Sequence, residues 1–233
     1  MKRLILKKLV IISQKNEEAR TIEFDDRLTV ITGDNPSGET KNRTGKSLVM
    51  KSIYYSLGAK LKKYTTNWDS LQISTIVTFL YDGIKYELYR DRNSFILRSD
   101  DEVKFFASIS ELKKFYVDFF EFYLKMPIKR DDENSVYAYP GAIFMPFYID
   151  QDKGWSGSWD SFSDVFTGKW KPEILLYHMG VRTREYYNLL DEKVELENEQ
   201  KENKKLLKTY EAVIKKHTEK YKDYLDLNLN TEN

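Results

Sequence analysis

Cysteine is absent from the 233 residues, which excludes a disulfide framework and any thiolate metal centre. Histidine is almost absent too, and His178 and His217 are too few for an imidazole cluster, so no side-chain metal site is expected. Net charge is close to nil, with 38 Lys and Arg against 37 Asp and Glu. Bulk electrostatics therefore select neither nucleic acid nor a membrane surface, and any basic patch must be local. Long apolar runs are missing as well, none approaching the ~20 residues that span a bilayer. The opening MKRLILKKLVII is basic and then apolar, but Lys7 and Lys8 interrupt it and no small-residue cleavage site follows. A cytoplasmic protein that does not enter a membrane is the expectation.

What is present is clear hydrophobic periodicity. Residues 4–12 and 21–31 are rich in Ile, Leu, Val and Thr, and the polar SQKNEEA between them predicts a hairpin connection. KSLVMKSIYYSLG then spaces Leu48, Val49, Ile53 and Leu57 as one face of a helix, with Gly58 as its stop. Strand periodicity occupies 72–98, in QISTIVTFLY, IKYELYRD and SFILRS with turns at Asp82-Gly83 and Arg92-Asn93, an antiparallel meander. SISELKKFYVDFFEFYLKM predicts a helix capped by Ser108 or Ser110, striped by Leu112, Phe115, Phe119, Phe122 and Tyr123 and closed by Pro127. YPGAIFMPFYIDQDKGWSGSWDSF reads as a short apolar strand running into an aromatic, glycine-containing loop. KPEILLYHMGV reads as a short helix with Pro172 in its first turn.

The stretch TGDNPSGETKNRTGKSL carries the chemistry. A phosphate-binding loop needs a strand, a glycine exit, and Gly-Lys-Ser opening a helix, so that backbone N–H groups wrap the phosphates. Its lysine then meets the outer phosphates and its hydroxyl binds Mg²⁺. LTVIT supplies the strand, Gly33 the exit, Gly45-Lys46-Ser47 the cradle and the following segment the helix. The strict spacing would place glycine at position 40, where Thr40 stands; Gly33 and Gly45 are twelve positions apart instead of five, leaving seven extra residues. Such residues bulge outward at little cost, because loop-closure entropy grows slowly with length. The phosphate-contacting run is Asn42, Arg43, Thr44, Gly45, Lys46, Ser47 and Leu48, with Lys46 on the β/γ-phosphates and Ser47 on Mg²⁺.

LTVITGDN followed by NRTGKSLVMKSIYYSLG resembles the N-terminal Walker A segment of the SMC/Rad50/RecF-like ABC ATPases, whose pattern is Gly-x-Asn-x-x-Gly-Lys-Ser. Asn42 or Asn35 takes the asparagine's place, and both alignments stand. The resemblance implies a Q-loop glutamine, contacting Mg²⁺ and the attacking water, and Gln151 in IFMPFYIDQDKGWS fits that position. It implies an α/β fold, the P-loop NTPase lobe of an ABC-type head over residues 1–181, with the meander inserted. ATP and Mg²⁺ are the implied cofactors. The Asp-Glu motif after four apolar residues and the Leu-Ser-Gly-Gly signature are not found; the family supplies them after a returning arm. The implied partners are the C-terminal half of the same head, a second head forming a homodimer, DNA, and a nuclease or effector subunit. The lengthened loop and FYIDQDKGWS also resemble SMC-like subunits of bacterial anti-phage systems such as Lamassu, so DNA repair or anti-phage defence is the implied setting.

Beyond Val181 the composition changes. From 182 to 225 neither Gly nor Pro occurs, and residues such as Tyr186, Leu189, Leu196, Leu207, Ile214 and Tyr221 fall on steps of three and four. Lys193, Gln200 and Asn203 make the middle of this seam polar. An ascending coiled-coil arm over 182–228 and a disordered tail over 229–233 are expected. Local basic clusters that could meet DNA are Lys2, Arg3, Lys7 and Lys8, then Lys60, Lys62 and Lys63, then Lys104, Lys113 and Lys114. A charge run is usually a solvated face, so DNA binding rests on the resemblance. The competing class is a non-catalytic interaction module in which a degenerate P-loop only scaffolds the arm; a P-loop kinase is disfavoured by the arm.

Overall fold

The structure is a computed structural model and describes residues 2–32, 45–61, 72–127, 135–149, 159, 161–165 and 170–229, the side chains of 223–229 excepted. Two compact units divide the chain, Met1–Thr183 and Arg184–Asn233.

The first unit is built on a six-stranded antiparallel sheet in the order β2-β1-β3-β4-β5-β6, formed by Leu4–Ser13 (β1), Glu18–Glu23 (β2), Ile73–Tyr81 (β3), Ile84–Asp91 (β4), Ser94–Arg98 (β5) and Val103–Phe106 (β6). Side chains alternate across a strand, so the register decides which residues share a face. Leu9, Val77, Leu88 and Leu97 stand in one row across four strands, and none is more than 4% exposed. Removing each such side chain from water contributes on the order of 2 kcal/mol. That row is covered by helices α1 (Lys46–Ser56) and α2 (Ile109–Phe119). On the opposite face Val10, Ile76, Tyr89, Ile96 and Phe105 form a parallel row that stays partly open, Phe105 being 65% exposed.

Helix α1 meets the sheet through small polar residues as well as Ile53 and Tyr55. Ser52 and Ser56 are fully buried, and each hydroxyl donates to the carbonyl four residues back, Leu48 at 2.7 Å and Ser52 at 2.6 Å, so neither buried group lacks a partner. Helix α2 starts where the sequence places it: the Ser108 side chain accepts from the Glu111 amide at 3.3 Å, and the Glu111 carboxylate accepts from the Ala107 amide at 2.9 Å. A second, two-stranded sheet pairs Lys125–Pro127 (β7) with Ser135–Tyr137 (β8), followed by helix α3 (Pro140–Phe144), a 3₁₀ turn (Met145–Phe147) and helix α4 (Trp170–His178). The second unit contains one helix, α5 (Arg184–Leu229), of 46 residues, about 69 Å long at 1.5 Å per residue. Of the expected arm 182–228, Arg182 and Thr183 precede the helix and the rest is helical; Leu229, expected in the tail, ends the helix, and residues 230–233 lie outside the described residues.

Four sequence expectations change. The strand expected over 21–31 ends at Glu23: the Phe24 amide still donates to the Lys7 carbonyl at 2.9 Å, but the Asp25 and Arg27 amides then bond to the Thr29 and Asp25 side chains, a local turn that competes with the ladder. The helix expected to run to Pro127 stops at Phe119. Glu121 takes a left-handed φ of 54°, and Phe122 and Leu124 turn into the core, so burial overrides a stripe that helical periodicity also fitted. The apolar strand expected near 140 is helix α3, which Pro140 opens in its first turn, where proline's missing N–H costs nothing. The meander gains a further strand, β6.

Two side chains tie the ends of these elements together. Tyr116 of α2 donates to the Leu57 carbonyl at 3.2 Å at the end of α1. Asp164 accepts from the Lys60 amide at 3.2 Å and lies against Gly141 of α3 so closely that a Cβ there would fall 2.2 Å from its Oδ1. Burial pushes the Asp164 carboxyl up to about 6, against the lowering effect of the Lys60 amide. The unfolded chain releases this proton near 3.8 and the folded chain near 6, so the folded state holds more protons between those values. Stability from this group is complete below about pH 4 and is lost as pH rises through about 6, a difference on the order of 3 kcal/mol. Denaturant melts of wild type and Asp164→Asn at pH 4 and pH 7 should show the wild type losing roughly that much relative to the variant. Gly58 has φ +93°, and its added Cβ would meet Leu112 Cδ2 at 2.9 Å, Ile109 Cδ1 at 3.1 Å and Pro140 Cγ at 3.3 Å. Gly58→Ala should cost about 1–3 kcal/mol and lower Tm in a thermal melt.

Candidate functional site

A cleft of about 360 Å³ opens at the N-terminus of α1, lined by Thr29, Ile31, Lys46, Ser47, Met50, Phe147, Tyr148 and Ile149. Three separate stretches of chain meet there. The first is the extended segment that leads to Gly33. The second is the Gly-Lys-Ser turn, and the third is the segment that leads to Gln151.

The turn has the geometry that an anion-binding helix start requires. Gly45 takes φ 78° and ψ 3°, left-handed values that glycine adopts without a Cβ penalty, and its carbonyl already accepts the first helical bond from the Val49 amide at 3.1 Å. Gly45 at the cap position brings no side-chain cap of its own, and the first turn contains no acidic residue. The positive end of the helix dipole is therefore not offset by a carboxylate of its own, and Lys46 adds a full positive charge beside it. Lys46 and Ser47 are half-buried in the cleft wall, while Leu48 is 42% exposed. The expected site residues Gly45, Lys46, Ser47 and Leu48 thus lie together. Gly33, Asn42, Arg43, Thr44 and Gln151 lie outside the described residues, as does Thr40.

An aromatic clamp fixes the opposite wall. Tyr54 on α1 donates its hydroxyl to the Phe147 carbonyl at 3.0 Å, and its ring lies 4.6 Å from Tyr148, 5.8 Å from Phe144 and 5.7 Å from Phe162. Burial raises the Tyr54 phenol to about 12, so the hydroxyl remains a donor at any ordinary pH. Ser161 donates to the Tyr148 carbonyl at 3.2 Å, closing the clamp from behind. Tyr148 is 6% exposed and is a packing residue. Sequence reasoning passed over Tyr54, and also Thr29, Ile31, Met50 and Phe147. The signal available was the position of each next to a motif: Ile31 before Gly33, Tyr54 two turns into α1, Phe147 just upstream of Gln151.

The rim of the cleft is apolar. Leu28, Val30, Phe147 and Ile149 are each more than 70% exposed, and Met50 is 38% exposed. Exposed large side chains concentrated around one mouth mark a surface that another polypeptide covers. Of the basic clusters read as DNA candidates, the first is partly neutralised: Lys2 pairs with Glu121 at 2.9 Å and Lys7 pairs with Asp26. In the third, Lys104 pairs with Glu102 at 3.0 Å. Lys62 and Lys63 lie outside the described residues. Among the described residues no cluster of His, Asp and Glu could hold a metal ion, and no helix is long and apolar enough to cross a membrane.

Comparison with known proteins agrees with this geometry. The AAA domain family matches residues 3–227, nearly the whole chain. The Lamassu protein LmuB of Bacillus cereus strain VD014 is 29% identical over 202 residues, covering 84% of this chain and 34% of that protein. A second Lamassu protein LmuB, from a Bacillus species, is 32% identical over 148 residues, covering 63% of this chain and 24% of its own length. The chain thus spans about a third or less of the curated relatives it matches. With a Gly-Lys-Ser turn opening a helix into a cleft and a family match that runs through both units, the chain belongs to the AAA domain family, as an SMC/Rad50-like P-loop ATPase domain.

Proposed function

We propose that this chain is the ATP-binding part of an SMC/Rad50-like head that couples nucleotide-driven association of two heads to DNA binding or sensing in anti-phage defence. The observation that carries the reading is the cleft itself, in which Lys46 and Ser47 face the segments leading to Gly33 and to Gln151. ATP with Mg²⁺ fits this donor set: a helix start opened by a left-handed glycine, a lysine, a hydroxyl beside it, and no acid in the first turn. When bound, the nucleotide supplies a phosphoanhydride whose terminal phosphoryl group can be displaced by water, with Mg²⁺ spreading the negative charge. Within that chemistry Lys46 binds the outer phosphate oxygens and Ser47 offers its hydroxyl oxygen to the cation. Gln151 orients the attacking water and completes the metal's surroundings. Asn42, Arg43 and Thr44 are the further phosphate-contacting candidates, and the Gly45 turn directs the helix-start amides toward the cleft.

The apolar rim supports a divided head. Val30 and Leu28 lie on an extended segment that finds no strand partner among the described residues, next to Phe147 and Ile149, and the C-terminal half of the same head is the polypeptide that would cover them. Hydrolysis then requires that half and a second head, so residues 1–181 bind nucleotide and residues 182–228 carry the arm. The name Lamassu protein LmuB on both relatives supports anti-phage defence over DNA repair, with a nuclease or effector subunit among the partners.

Two substitutions test this in the complete protein. Lys46→Ala should weaken ATP binding at least tenfold, measured with a fluorescent ATP analogue, and abolish ATP-dependent head association in size-exclusion chromatography. Unchanged affinity and association would instead establish the scaffold role. Ser47→Ala should leave nucleotide affinity without Mg²⁺ within about threefold of wild type while removing most of the gain that Mg²⁺ confers, read in the same titration with and without the ion.

A further inference from the structure

A second cavity, about 750 Å³ in volume, opens at the far end of α1, and Tyr55, Lys60, Arg90, Arg92, Tyr139 and Asp164 are among its lining residues. Arg90 is the unusual member. It points inward from near the end of β4 and is 8% exposed, with its guanidinium 3.6 Å from the centroid of Tyr55 and 5.0 Å from that of Phe95. Its Nε donates to the Arg92 carbonyl at 2.8 Å and its Nη1 to the Tyr55 carbonyl, and its side chain also bonds that of Tyr55, which fixes the fork at the cavity wall. Among the described residues it forms no ion pair. The Asp164 carboxyl attracts this buried guanidinium from beyond ion-pair distance, and an anion seated directly on it offsets more of the cost of burial.

The surroundings add to this demand. Arg92 and Lys60 are exposed in the cavity wall, and Lys113 lies 4.3 Å above the ring of Tyr139 at its side. The one carboxyl in the wall, Asp164, has its Oδ2 engaged by the Lys60 amide, and burial raises it to about 6, so its repulsion of a bound anion fades as pH falls through that value. A planar fork stacked on an aromatic ring matches phosphate oxygens bidentately better than an ammonium does. The volume suits a nucleotide unit, far exceeding a bare phosphate, and Tyr139 offers an aromatic face to a base or sugar.

We propose that this cavity binds the phosphate group of a nucleotide unit, seated on Arg90 and flanked by Arg92 and Lys60, at a site separate from the Lys46 cleft. The test uses the full chain with thymidine 5′-monophosphate as probe, thymidine as its dephosphorylated control, and a 5′-phosphorylated oligothymidylate as the strand-borne form. Lys60→Glu with Arg92→Glu should lower affinity for the phosphorylated probe at least tenfold, Lys46→Ala should leave it unchanged, and thymidine should bind at least tenfold more weakly. Both changed side chains are exposed, so the double variant should keep the wild-type Tm. Should it unfold, displacement of the monophosphate from wild-type protein by inorganic phosphate supplies the same test. Binding of the oligonucleotide alone assigns the site to a strand, and binding of the monophosphate assigns it to a free nucleotide; either supports the proposal. Equal binding of thymidine, unchanged affinity in a folded double variant, loss on Lys46→Ala, binding of neither phosphorylated probe, or no displacement by inorganic phosphate overturns it.

Discussion

The seating of α1 on the inner face of the sheet is the constraint on which the other features depend. Ser52 and Ser56 let the helix lie close to the strands while satisfying their own hydroxyls, and the Leu9, Val77, Leu88 and Leu97 row gives it a dry surface to lie on. A helix held this way along its length cannot tilt without opening the core. Its first turn is consequently presented to the cleft in one orientation, and its last turn to the second cavity.

The clamp around Tyr54 extends that constraint across the chain. One hydroxyl bond to the Phe147 carbonyl, together with ring contacts to Phe144, Tyr148 and Phe162, brings a segment nearly a hundred residues away in sequence to the same helix. Aromatic contacts of this kind are worth about 0.5–1.5 kcal/mol each beyond the area they bury. The phosphate-binding turn and the stretch before Gln151 therefore come as one assembled unit instead of two loops that must find each other. Such preorganisation is what an ATPase site needs, because reorganising polar groups during reaction raises the barrier.

Much of this was readable from residue order, and the parts that were not have a common cause. Gly45-Lys46-Ser47 with its helix, the Asp82-Gly83 turn, the Ser108 cap and the long breaker-free helix all depend on interactions within a few residues, which local pattern records faithfully. The strand expected at 28–32 depends on a partner strand, and the side-chain bonds of Asp25 and Thr29 turn the chain off the ladder before it. The end of α2 depends on where Phe122 and Leu124 find burial, and helical periodicity alone cannot show that. In the cleft, Lys46 and Ser47 were legible because their chemistry is local. Tyr54 was not, because its partner Phe147 is fixed only by tertiary packing. Arg90 sat inside an alternating strand pattern, where a charged residue normally marks the solvent face; here it faces inward under Tyr55 and gave no sequence signal.

The close fit of Asp164 against Gly141 has a consequence for how such a chain can vary. The carboxylate occupies the volume that any side chain at position 141 would need, so the two positions are not independent. Enlarging Gly141 becomes tolerable only if residue 164 has first been shortened, and shortening it removes the acceptor for the Lys60 amide. Drift at these sites is thus ordered in time, with one substitution acting as the gate for the other, and the pair should change together or stay as it is.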